Sequence, residues 1–318
     1  MNTTNEMVNP WNTDKPVSYS GMWIGTELCQ ASIRKKISGS EDDWLTYVIK
    51  NYMGPALGKS EAIKPRKDYS VLILGANEGW IERTLCSHGF VGKIIASDIA
   101  DKALERARQK IEELGYTNVK YVVANLNKDV FEGPFDFIFA EGVLHHIEKI
   151  EECLERLSDS LSENGILIAP EFVGPVRFQL PEEQVRWINA SLNVLPKALR
   201  PFSGDPEGHL PGTPQDNARV YYVPPTEQSI IDIDPSEALS GPKLRELFPQ
   251  IFDILEQKGF GGTLLSYMTG HFDFERANKD LIAQDWLEVL VKIEDTLIKT
   301  GILQDEFTFY IMGKKKKS

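Results

Sequence analysis

Residues 70–80 read Ser70-Val-Leu-Ile-Leu-Gly75-Ala-Asn77-Glu-Gly79-Trp80, and their reading decides the fold. A short apolar run ended by glycine predicts a strand buried on both faces. Glycines at 75 and 79 let the backbone pass close beneath a ligand. The helix predicted over Asn77 to Ser87 directs its free N–H groups into the same space. Next along the chain, Lys93-Ile-Ile-Ala-Ser-Asp98 predicts a second strand, and Asp98 stands 23 positions beyond the first glycine. An acidic residue about 20 positions past such a loop is placed to take both ribose hydroxyls of a nucleoside. The G-x-G-x-x-G fingerprint of dinucleotide sites is missing, which argues against a nicotinamide oxidoreductase.

The alternation continues outward. Ala100 to Leu114 carries Ala103, Leu104, Ala107 and Ile111 in a helical stripe closed by Gly115. Strands follow at Val119 to Ala124 and Phe135 to Ala140, then a helix at Ile150 to Leu161 and a strand at Gly165 to Phe172. Strands separated by helices of this length imply right-handed crossovers and a parallel sheet. Upstream, Asp42 to Met53 places Trp44, Leu45, Val48 and Ile49 on one helical face. Beyond Gly174 the rhythm breaks. Pro181 to Leu199 is helical in pattern, but Arg200 to Asp234 is rich in proline and glycine and reads as a long irregular insertion, a kind usually functional. A helix at Pro242 to Pro249 resumes the alternation. Phe252 to Met268 reads as strand, turn at Gly261-Gly262 and strand; a long helix at Asp273 to Lys299 and a last strand at Glu306 to Gly313 follow. The expected organisation is an N-terminal helical cap over 1–66 and a cofactor-binding half over 67–174. An insertion or lid would occupy 175–240, and 241–318 would complete the α/β domain.

Composition bounds the function. The chain has 318 residues, 42% hydrophobic and 26% charged, which excludes a disordered or fibrous protein. A net charge of −12 repels phosphate backbones, so no nucleic-acid partner is expected. No run approaches the roughly 18 apolar residues of a membrane span. Met1 to Lys15 is polar and does not read as a secretory signal. Cys29, Cys86 and Cys153 lie far apart with no CxxC, which predicts reduced thiols, a cytoplasmic location and no zinc site. Lys314 to Lys317 reads as a solvated tail.

Two further stretches narrow the class: Phe135-Asp-Phe-Ile-Phe-Ala-Glu-Gly-Val-Leu-His-His-Ile147 and Leu161-Ser-Glu-Asn-Gly-Ile-Leu-Ile168. With the glycine loop and Asp98, they resemble the class I S-adenosylmethionine-dependent methyltransferases over about Val71 to Glu171. The resemblance implies a Rossmann-like sheet of seven strands with the last antiparallel, and S-adenosyl-L-methionine as cofactor. It assigns Gly75, Asn77 and Gly79 to the methionine and ribose end of the cofactor and Asp98 to the ribose diol. Ile99 would flank the adenine, Asn125 and Leu126 would border it, and Glu141 would lie near the sulfonium. Two departures stand out. Ile73 occupies a position often acidic in the family, with Glu78 or Glu141 as a replacement for its contact to the cofactor's ammonium. Asn77 replaces the usual middle glycine. The segments Glu171 to Phe178, Asp234-Pro-Ser-Glu-Ala238 and Gly261-Gly-Thr-Leu-Leu265 are also similar to bacterial methyltransferases found beside glycosyltransferases in polysaccharide biosynthesis. That implies a small-molecule or glycan acceptor methylated at a hydroxyl. The alternative is a cofactor-binding partner or regulator without methyl transfer.

His145 and His146 follow the strand at Phe135 to Ala140 where substrate and cofactor meet, and histidine is the natural base for a hydroxyl nucleophile. As neighbours they are expected to diverge, so that at most one faces the sulfonium and no metal is held. Glu171 ends its strand on the ligand-binding edge, to orient a hydroxyl or pair with Arg177. Arg219, Tyr221, Tyr222 and His271 are candidate pocket walls, while Trp23, Trp44, Trp187 and Trp286 fall in helical patterns typical of core.

Overall fold

The computed structural model describes residues 10–14, 18–59, 66–200 and 221–315. A seven-stranded sheet runs in the order β3-β2-β1-β4-β5-β7-β6. The strands are β1 (Ser70–Leu74), β2 (Lys93–Asp98), β3 (Val119–Val123), β4 (Phe135–Ala140), β5 (Leu161–Phe172), β6 (Phe252–Gly261) and β7 (Phe307–Lys314). The first five are mutually parallel, and β7 lies antiparallel between β5 and β6. The Rossmann-like expectation therefore holds, including the reversed last strand.

The period of two along a strand sorts the core into two layers. From β1, Val71 and Ile73 join one apolar cluster and Leu72 and Leu74 the other. The first cluster takes in α1 (Glu27–Ser38), α2 (Trp44–Asn51), α3 (Trp80–Ser87), α4 (Asp101–Glu113), α6 (Glu182–Val194) and α10 (Leu281–Lys299). The second packs α5 (Ile150–Ser160) and α8 (Gly241–Ile251) on the opposite face. Trp23 is in the core, and Trp44, Trp187 and Trp286 pack against it, as their helical spacing predicts. Cys29, Cys86 and Cys153 are buried and free.

Strand β5 starts at Leu161, four residues before the expected Gly165, and α6 ends at Val194, short of the expected Leu199; four other departures from the sequence reading each have a local reason. Helix α3 starts at Trp80 and not at 77, because Asn77 (φ 47°) and Gly79 (φ 76°) are left-handed and cannot join a right-handed helix. The second half of Phe252 to Met268 is not a strand. Gly261 and Gly262 turn the chain with φ of 101° and 80°, and a single tight turn at Ser266–Met268 follows. The buried Glu294 of α10 accepts the N–H groups of Gly262, Leu264 and Leu265 there, so the segment bonds to a helix side chain in place of a sheet neighbour. The long C-terminal helix is split into α9 (Phe274–Ala277) and α10, whose start is capped by Asp280. Finally, the stretch read as irregular contains α7 (Glu227–Ile233), capped by Thr226. Residues 201–220, with Arg219, lie outside the described residues, as does the end of the lysine tail.

Candidate active site

At the carboxyl edge of the parallel strands, order reverses between β1 and β4, the place where open α/β sheets bind ligands. Asn77 sits in the left-handed region, where asparagine is among the best-tolerated side chains, so it replaces a glycine without breaking the loop. Its N–H donates to Asp98 Oδ2 at 2.9 Å, and Ala100 N–H donates to Oδ1 at 2.8 Å. Burial raises the Asp98 pKa against these bonds. The carboxylate thus closes the β1 and β2 loops onto one another at the edge of the cleft. Ile99, at 47% exposure, is an apolar side chain left at the surface beside it.

The other assigned residues separate. Gly75 (φ 64°) is required by a close approach, since a Cβ there would stand 2.9 Å from Val143 of the loop after β4. For Gly79 a Cβ would meet Glu82 Oε1 at 2.4 Å and Ala107 Cβ at 2.8 Å. The neighbours crowding Gly79 are Glu82 of α3 and Ala107 of α4, so helix packing also requires glycine at this position. We expect Gly79→Val to lower the melting temperature sharply, and Gly79→Ala to do so by less; thermal denaturation checks it, and a wild-type melting curve for the valine variant would refute it. Asn125 Oδ1 accepts from Asn127 N–H at 3.0 Å, in a local turn. Leu126 is 8% exposed and packs in the second core layer.

The departure at Ile73 narrows to one acid. Partial burial raises Glu78, but Lys110 (2.6 Å) and Arg106 (2.8 Å) outweigh it and hold its carboxyl below the ordinary value. Glu78 is therefore taken by two cations. Among the described residues Glu141 accepts the indole N–H groups of Trp80 (2.7 Å) and Trp44 (3.2 Å), and burial pushes its carboxyl up to about 7. It retains acceptor capacity for a ligand's ammonium.

A polar cluster lies beyond β4. Glu171 is buried and accepts Val143 N–H (2.7 Å) and Leu144 N–H (2.6 Å) on Oε1, and His145 Nδ1 (2.8 Å) and Phe172 N–H (3.2 Å) on Oε2. It orients His145 from beneath and does not pair with Arg177. Burial lowers the His145 pKa, but Glu171 and then Glu237 reverse this and carry it to about 9. The two histidine rings do not diverge as expected: they lie 4.1 Å apart at 37°. Burial, then the charge on His145, hold His146 below its ordinary value. His146 Nδ1 lies 3.2 Å from Ser236 Oγ and 3.7 Å from Asp234 Oδ2.

The segment carrying those partners is built by Arg177, which donates to the carbonyls of Asp234 (3.3 Å), Pro235 (2.5 Å) and Glu237 (2.8 Å). Arg177, Phe178 and Ala238 all adopt left-handed backbone, with φ between 51° and 55°. Such conformations at residues with side chains cost of order 1–3 kcal/mol each and persist where surrounding contacts over-determine them. Residues 10–14 run across the top. Trp11 Nε1 donates to Asp234 Oδ2 (3.1 Å), and its ring meets His146 edge-on at 5.3 Å. Arg106 donates to Thr13 O (2.9 Å), and Lys102 Nζ pairs with Asp14 (2.7 Å). Beneath this strap lies a cavity of about 410 Å³, walled by Trp11, Phe178, Ile230 and Ile233, with Asp234 and Glu237 in its lining. Trp11 and Glu237 were not found from sequence. Nothing local marks Trp11, whereas Glu237 lies in Asp234-Pro-Ser-Glu-Ala238, the segment already singled out by resemblance. Tyr222 is a buried wall of α6, with its N–H donating to Asn189 Oδ1, whereas Tyr221 is exposed. His271 is buried and rings with Tyr222 at 5.5 Å, apart from the cavity.

Sheet order, the β1 loop, the acid ending β2 and the acid after β4 fit a Rossmann-like α/β methyltransferase fold. Residues 65–209 match the family model described as a methyltransferase domain, a little under half of the chain. The chain is 28% identical over 123 residues to the ubiquinone/menaquinone biosynthesis C-methyltransferase UbiE of Salmonella paratyphi B, covering 38% of this chain and 48% of the relative. It thus spans about half the length of the curated relatives it matches. Phosphoethanolamine N-methyltransferase 2 of Haemonchus contortus superposes with a TM-score of 0.46 at 13% identity, covering 94% of this chain and 60% of that one. A methyltransferase from Aquifex aeolicus gives 0.31 at 24% identity, over 36% and 63%. Among the described residues no helix is long and apolar enough to cross a membrane.

Proposed function

We propose that this protein transfers a methyl group from S-adenosylmethionine to a small acceptor held in the cavity under Trp11. The observation that carries this is the juxtaposition of two halves of one site. The β1 loop, Asp98 and Glu141 line the edge on one side, and past β4 lies the cavity, with Asp234 and Glu237 in its lining and His146 against its Trp11 and Asp234. Asp98 would take the ribose hydroxyls and Glu141 the ammonium of the cofactor. When bound, the cofactor supplies an electrophilic methyl at a sulfonium.

This chain's residues then work mainly by position. Holding nucleophile and methyl in near-attack geometry is worth roughly 7–11 kcal/mol. The walls are aliphatic and aromatic, and polar groups gather at one side. That favours an acceptor with an apolar body and one hydroxyl over a free polysaccharide, whose many hydroxyls would go unpaired there. His146 and Glu237 stand where the acceptor's hydroxyl would lie, and Glu171 acts through His145. The Salmonella relative is named a C-methyltransferase, so methylation at carbon is the second reading. Incubation with methyl-labelled cofactor and a panel of phenols and saccharides, with products analysed by mass spectrometry, distinguishes O-methyl from C-methyl products. S-adenosylhomocysteine at 100 times its Kd should stabilise the fold by about 2.7 kcal/mol. Stabilisation without any methylated acceptor would favour a binding protein, and stabilisation by NAD alone would overturn the assignment.

A further inference from the structure

We propose that His145, His146 and Glu237 form a binding site for one divalent first-row transition ion of zinc type, beside the acceptor cavity. One ring nitrogen of each histidine and one carboxylate oxygen of Glu237 lie within 4.8 Å of one another. The two histidines come from the tight turn Leu144–His146 after β4, and Glu237 comes from the loop held by Arg177.

The geometry of His145 is that of a prepared ligand. Glu171 receives Nδ1 at 2.8 Å and is itself saturated by three backbone N–H groups, so the ring is fixed with Nε2 turned toward Glu237, where loss of the Nε2 proton would free a lone pair for an ion. A carboxylate behind a ligating histidine fixes the tautomer and ring orientation in this way. Glu237 Oε1 then stands 3.6 Å from that Nε2. This separation is too long for a hydrogen bond, which falls at 2.7–3.2 Å for N–H···O. It is close to the roughly 3.3 Å between two ligands that share a tetrahedral ion at bonds of about 2.0–2.1 Å. An ion of this charge would take the place of the proton that the ring otherwise holds between Glu171 and Glu237. The neighbouring ring of His146 adds the third ligand, and its Nδ1 has Ser236 and Asp234 as outer partners.

Two nitrogens and one oxygen are the donor set of sites that keep a coordination position open, unlike closed structural zinc sites. Glu237 also lines the cavity, so the open position would adjoin the acceptor space. The left-handed backbone at Arg177 and Ala238 shows that the loop is held in a demanding conformation at this point. In terms of methyl transfer, which rests on the reading above, the ion would bind the acceptor's oxygen and lower the pKa of its hydroxyl.

The test uses the full chain after dialysis against a chelator. Calorimetric titration with ZnCl₂ should give one equivalent bound, and Co²⁺ should produce the visible d–d absorption of a four- or five-coordinate ion. Glu237→Gln and His146→Ala should each weaken zinc binding at least tenfold, while His88→Ala, at an exposed surface histidine, should change nothing. Should a variant fail to fold, the Co²⁺ spectrum of the unmodified chain still decides, because octahedral surface binding absorbs only weakly. Absence of a saturable equivalent, or equal binding in the Glu237→Gln variant, overturns the site and leaves a protonated His145 between its two carboxylates. S-adenosylhomocysteine binding measured on the chelated protein separates this from the enzymatic assignment: retained cofactor binding with no zinc binding refutes the metal alone.

Discussion

Glu171→Ala should lower the stability of the fold by about 3–5 kcal/mol, the range for removing one partner of a buried charged network. The side chain is 1% exposed and is the acceptor for three backbone N–H groups and one imidazole. Each donor left buried without a partner costs about 1–3 kcal/mol, and water entering the new space recovers part of that. Domains have only about 5–15 kcal/mol to lose, and 1 kcal/mol moves the midpoint of one this size by roughly 2–4 °C, so a fall of about 10 °C is expected. Glu171→Gln should be milder, since one amide oxygen can still receive Val143 and Leu144. Differential scanning calorimetry of the three proteins decides; a melting point for the alanine variant within two degrees of the parent would show that Glu171 does not organise the turn carrying the histidines.

Asp98→Ala should weaken S-adenosylhomocysteine by roughly 1.5–3 kcal/mol, about 10- to 150-fold in Kd. Two effects add. The ribose diol loses a charged acceptor, and Asn77 and Ala100 lose the carboxylate that ties their loops together. Asp98→Asn separates them, because its amide oxygen can still receive one of these N–H groups while the charge is gone. Isothermal titration of the two variants reads the contributions, and an unchanged Kd in the alanine protein would remove Asp98 from the cofactor site.

What the sequence makes legible here is what neighbouring residues decide together. The strand from Ser70, the glycine turn and Asp98 are near in the chain, and period-two burial plus glycine placement suffice to set them at one edge. Gly79 shows the limit of that logic. Its need for glycine is visible, but the reason lies in Ala107, a neighbour only once α4 has packed. The histidine cluster was half legible. His145 and His146 stand at the right end of β4, yet their partners lie on a loop some 90 residues downstream, as between His146 and Ser236. That loop is shaped by three left-handed residues that carry no glycine signal. Trp11 is further still from any local rule, because its role is conferred by Asp234 across the whole chain.

The place of β7 also governs the order of events during synthesis. Strands β1 to β5 can pair with each other as the ribosome delivers them, but β6 pairs with β7, and β7 fills the space between β6 and β5. Until residues 307–314 have left the exit tunnel, β5 presents an open apolar margin and β6 has no sheet to join. Unpaired margins of that kind template pairing with other chains. The nascent polypeptide therefore passes through an interval in which β1 to β5 are free to pair while the margin of β5 and all of β6 still lack the strand that joins them.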